Sequence, residues 1–146
     1  MVSNIERFDL TVVLVLAELY GRFPVRKALD ASKFMLTDDG QIAEGLSSRE
    51  EAELDFNDPY FKRKQFAFEC MHWLIEAGYL HGKAHAYEYI ENAVLTAKGL
   101  EVLKATPDSL QESLGERMQE AAKSGMGETA RALIGQVVSL GVGLVT

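Results

Sequence analysis

The sequence predicts a mainly α-helical domain with one small β-hairpin. Two segments, residues 4–20 and 59–77, repeat apolar side chains at three and four residues, the period of a helix face. Between residues 79 and 95 the pattern changes to strand-like alternation around glycine. Capping residues, prolines and glycines stand at the borders between these stretches.

Residues 4–20 form the first expected helix. Ser3 or Asn4 can cap it, and Glu6 suits the positive end of the helix dipole. Phe8, Val12, Val15, Leu16 and Leu19 share one face, while Val13 and Leu14 widen it, so a central helix is expected. Gly21 is a plausible stop, and Phe23-Pro24 requires extended or turning backbone. Residues 25–35 read as a short helix, or as an extended lead-in to a helix over 31–35 capped by Asp30. Residues 37–58 read as a solvated excursion. Asp38-Asp39-Gly40 is a turn signal, and Ser47 with Glu50 has the form of a capping box.

Asn57 or Asp58 can cap the next helix, with Pro59 at its first position and Gly78 at its end. Phe66, Cys70, Trp73, Leu74 and Ala77 are its expected buried face; Lys62, Gln65, Glu69, His72 and Glu76 form its polar stripe. Residues 79–95 make the hairpin, with its turn expected at Gly82. Thr96 can cap a helix over 97–104, with Leu100 and Leu103 facing inward. Another helix is expected over 106–124, and a last one over 128–145. The narrow seam of Leu110, Leu114, Met118 and Ala121 suits one partner helix.

The chain has 146 residues, enough for one domain with a real core. Its hydrophobic fraction of 47% and charged fraction of 25% are those of a globular protein. Residues 37–58 hold eight acidic groups and one basic group, which accounts for the whole net charge of −7. An acidic chain disfavours non-specific nucleic-acid binding, but a neutral body with one acidic segment disfavours it less. The single cysteine, Cys70, excludes an intrachain disulfide, and a cytoplasmic setting is expected. No signal-peptide pattern opens the chain, and the apolar run 10–19 is too short for a membrane span.

The string Tyr87-Glu88-Tyr89-Ile90, leading into Leu95-Thr96-Ala97-Lys98-Gly99-Leu100-Glu101-Val102-Leu103, resembles the end of a winged-helix domain. In bacterial MarR-like and PadR-like regulators the second wing strand delivers a segment of the form Leu-Thr-x-x-Gly-x-x-x-Leu. Leu74-Ile75-Glu76-Ala77-Gly78-Tyr79-Leu80 is similar to the exit of their recognition helix. The likeness spans residues 5–104 through short strings only. It implies a winged helix-turn-helix domain over 1–104, followed by a helical dimerisation or packing extension over 105–146.

The function implied is regulation of transcription by a homodimer bound to double-stranded DNA. The long helix would enter the major groove and the wing would touch phosphates. The nucleic-acid contacts would be Lys62, Arg63, Lys64 and Gln65 on the helix, with His81, Lys83 and His85 at the wing tip. Self-association would use Leu110, Leu114, Met118, Leu133, Val137 and Leu140. The alternative is an interaction module of the same fold without DNA affinity, meeting a protein partner through the acidic excursion and the apolar tail. The sequence departs from a DNA-binding pattern in two places: Glu69 and Glu76 lie on the polar stripe, and the wing has one lysine and no arginine.

No catalytic, metal or cofactor site is expected. His72, His81 and His85 lack metal-site spacing with carboxylates or thiolates and read as surface histidines. Cys70 lies on an apolar face and reads as a small hydrophobe rather than a nucleophile. Asp38-Asp39-Gly40 lacks the alternate ligands and final Glu of a calcium loop. There is no P-loop, dinucleotide fingerprint or Gly-x-Ser-x-Gly elbow. Residues 132–146 carry no charge; they read as a helix buried in the domain or in a dimer, with a membrane surface or a partner's groove as the other destinations.

Overall fold

The computed structural model describes residues 2–105, 113–124 and 127–143. Helix α1 (Asn4–Arg22) begins where the Ser3 hydroxyl accepts the Glu6 amide. It buries Val12, Val13, Val15, Leu16, Ala17 and Leu19, so most of its circumference meets protein. The helix runs one residue past Gly21, and Arg22 reaches back to Glu18 at 2.8 Å.

The expected helix over 25–35 is mostly not helical. Its lead-in is strand β1 (Lys27–Asp30), and only a 3-10 turn, Ala31–Lys33, follows. Asp30 caps that turn, accepting from the Ser32 amide at 2.9 Å. The strand exists because a sheet edge receives it; four residues carry too little periodicity to announce a strand on their own. The excursion contains the predicted capping box at Ser47 and Glu50, opening helix α2 (Ser48–Ala52). None of its residues 37–58 is buried.

Helix α3 (Pro59–Glu76) starts with the Asp58 carboxylate accepting the Tyr60 amide and Pro59 in the first turn. Its buried face is rotated from the expected one: Tyr60, Lys64, Ala67, Phe68, Cys70, Met71 and Leu74 point inward. Trp73 is 42% exposed, meeting Phe8 edge-on and Tyr79 in a stack, while Phe66 lies under the Arg7 guanidinium. The helix carries two apolar stripes at the same period, and the larger side chains made the outer stripe look like the core.

Gly78, at φ +87°, turns the chain out of α3 into strands β2 (Leu80–His85) and β3 (Tyr89–Leu95). The sheet is antiparallel in the order β1-β3-β2. The expected turn at Gly82 is wrong. Gly82 lies inside β2 at a register shift, where an added Cβ would stand 2.5 Å from Ile90 Cγ2. The reversal is at 85–88, closed by the Glu88 amide on the His85 carbonyl, with Ala86 and Tyr87 both at positive φ. Neither is a residue type that usually signals such a turn.

Helix α4 (Ala97–Lys104) locks this exit in place. Thr96 accepts the Gly99 amide and donates to the Gly78 carbonyl at 2.6 Å, and Lys98 donates to the Ala77 carbonyl. A Cβ on Gly99 would lie 2.4 Å from the Tyr79 carbonyl oxygen, so close packing requires glycine there. Leu103 faces inward as expected, whereas Leu100 is half-buried. Helices α5 (Leu114–Ser124) and α6 (Gly127–Gly143) pack against α1 and against each other. Among the described residues the chain is mainly helical with one three-stranded sheet.

Candidate functional site

The entering end of α3, α2 and the hairpin turn form one face. Lys62 and Gln65 are exposed on it, and Arg63 is half-buried. Lys64 differs from its neighbours. It is 5% exposed, and its ammonium donates to Glu51 Oε1 at 2.9 Å and to Glu88 Oε2 at 2.5 Å. The Tyr60 hydroxyl donates to the other oxygen of Glu51 at 3.0 Å and accepts the Leu46 amide at 3.4 Å. Excursion, helix and hairpin are therefore tied at one cation.

Burial alone pulls the Lys64 pKa down. The hydrogen bonds and charges of Glu88 and Glu51 outweigh that and leave it above the usual lysine value. Tyr60 is raised, first by burial and then by the adjoining Glu51. Lys64 thus serves an internal ion-pair network and presents no free ammonium to a phosphate, which corrects its place among the expected contacts.

The hairpin residues are also redistributed. His81 and Lys83 are exposed on the flank of β2 and not at the tip, because the turn lies beyond them. His85 ends β2, stacked on Tyr89 at 4.5 Å and 3.2 Å from Glu91 Oε2. The tip itself is Ala86, Tyr87 and Glu88, an aromatic and an acid where two imidazoles and an ammonium were expected. Tyr87 rests edge-on against Phe68.

Beside the Lys64 network lies an open groove of about 770 Å³, walled by Glu51, Leu54 and Phe56 from the excursion, Phe61 and Gln65 from α3, and Tyr87 and Glu88 from the hairpin. Phe56 is 92% exposed. The partners Glu51, Glu88 and Tyr60 were missed from sequence. Glu51 and Glu88 stand 13 and 24 residues from Lys64, and no local spacing announces such pairs. The capping box that placed α2 was the one usable signal.

The residues assigned to self-association are mostly occupied at home. Leu114, Met118, Leu133 and Val137 are all buried in the chain's own core, and Leu140 is exposed. Leu110 lies outside the described residues. The seam is narrow because it fits between α1, α4 and α6 of the same chain.

Cys70 is buried, and that burial pushes its thiol up to about 12, so it is not a thiolate at neutral pH. Among the described residues no group of three His, Cys, Asp or Glu could hold a metal ion. No helix among them is long and apolar enough to cross a membrane. No protein-family model, no curated protein and no solved structure matches the chain.

Proposed function

We propose that the chain is a winged-helix-like protein-interaction module without DNA affinity, working in a cytoplasmic setting. The path from α3 through Gly78, the hairpin and the Thr96-capped α4 supports the winged-helix reading, since it follows the order the sequence strings imply. The observation that carries the functional part is Lys64. Two carboxylates of the same chain occupy the last cation of the basic triplet Lys62-Arg63-Lys64 at the head of α3.

A DNA-reading helix needs its cations free, because affinity comes largely from replacing counterions on phosphates. Here Glu51 and Glu88 bring negative charge to the place a phosphate would sit. Glu69 and Glu76 remain exposed further along the helix. A transcription regulator built on this face would work against its own field. A dimer built on Leu114, Met118, Leu133 and Val137 would first have to open the core of each chain.

The test is a titration of a labelled mixed-sequence duplex across a salt series, with the parent and with Lys62→Ala/Arg63→Ala. The expected result is no saturable binding at physiological ionic strength by either protein. Tight binding that falls steeply with salt, and weakens in the double variant, would restore the regulator reading.

A further inference from the structure

We propose that the groove between α2, the head of α3 and the hairpin turn receives a short partner segment carrying an aliphatic or aromatic side chain flanked by lysine or arginine. The inference rests on the interaction-module reading and names the chemistry of the partner.

The groove has an apolar lining. Phe56, Phe61, Leu54 and Tyr87 meet there from three separate parts of the chain. A phenyl ring 92% exposed, as Phe56 is, gains nothing for the folded chain from its apolar surface. Beside Phe61 and Tyr87 it forms part of an aromatic wall of the kind that anchors a partner's side chain. The volume suits one or two side chains rather than a folded domain.

The charge of the walls chooses the partner's sign. Lys64 is the only cation among the lining residues, and Glu51 and Glu88 already hold it, so the lining is left with a net negative charge. Glu50, Glu53 and Asp55 extend the same sign along the exposed excursion, where Arg49 is the one cation. An acidic peptide would meet uncompensated repulsion, whereas a basic one would be steered in. The Lys64 bridge also holds the three walls together before anything binds, which lowers the ordering cost of association.

The experiment uses the full chain and labelled synthetic peptides with a central Phe or Leu between Lys-Arg pairs. Matched peptides carry Glu in the flanks, or Ser in the centre. The proposal expects the basic apolar peptides to bind at least about tenfold more tightly than either control, with affinity falling as salt rises. Phe56→Ser should abolish that advantage and leave the circular dichroism spectrum unchanged. Glu53→Lys/Asp55→Lys should weaken binding mainly at low salt.

Equal binding of all peptides, or binding untouched by Phe56→Ser, would overturn the proposal. Preference for the Glu-flanked peptide through Phe56 would overturn its charge assignment and leave the interaction-module reading standing. Saturable, salt-sensitive binding of the chain itself to a labelled duplex, in the absence of peptide, would bring down both. Concentration-dependent dimerisation abolished by Phe56→Ser would give the groove to a second copy of the chain, and the proposal would fail.

Discussion

Around α1 the chain buries oil against oil. Leu16, Leu19, Leu114, Met118, Leu133 and Val137 are removed from water by helices of the same chain, and few polar groups are involved. At the head of α3 the joints are different. Tyr60, Lys64, Glu51 and Glu88 join three segments through directed polar bonds, while Phe56 and Tyr87 stay outside. The first region is built for stability and offers a partner little. The second holds a shape with few apolar contacts and keeps its aromatic side chains available.

Substitutions separate the two regions by size of effect. Leu16→Ala should cost about 2–5 kcal/mol in urea unfolding, since its site is sealed and a cavity would remain. Gly99→Ala belongs beside it. Its Cβ would strike the Tyr79 backbone carbonyl, which cannot rotate aside, so a loss of about 2 kcal/mol or more is expected in the same assay. Lys64→Met should cost less, on the order of 1–3 kcal/mol, because Glu88 is largely solvated and only Glu51 is left poorly compensated.

Glu18→Gln sharpens the contrast at its small end. The Lys27 hydrogen bond, then that of Arg22, holds the Glu18 carboxyl below the usual range despite partial burial. A depressed carboxylate contributes above its unfolded pKa and loses that contribution as pH falls through the folded value. The variant should therefore lose about 0.5 kcal/mol at neutral pH, with the difference vanishing in acid once the folded carboxyl is itself protonated. Phe56→Ser should move stability by no more than about 0.5 kcal/mol in either direction, in keeping with an exposed side chain. Native Cys70 should resist a thiol reagent at neutral pH and react only after unfolding; prompt labelling of folded protein would contradict its burial.

Legibility follows the same division. Most features set by neighbours in the chain were readable: the Ser3, Asp30, Ser47, Asp58 and Thr96 caps, the Gly78 exit, and the borders of α1 and α3 within two residues; the Ser113 cap before α5, inside the helix expected over 106–124, was missed. Three further failures needed distant partners or unusual backbone. β1 is a strand only because β3 offers an edge, and α3 had two stripes between which only tertiary packing could choose. The true turn placed Ala86 and Tyr87 in left-handed backbone while glycine sat three residues before its start, in the strand. The candidate site suffered most, since Glu51, Lys64 and Glu88 meet only after folding.

The bridge at Lys64 is most directly tested by a double-mutant cycle with Lys64→Met and Glu51→Gln, read as unfolding free energy in urea. A coupling of about 1–3 kcal/mol is expected, the pair of substitutions costing clearly less than the sum of the two alone. Strict additivity would mean that the ammonium is not held by Glu51, and the neutralised head of α3 would have to be abandoned.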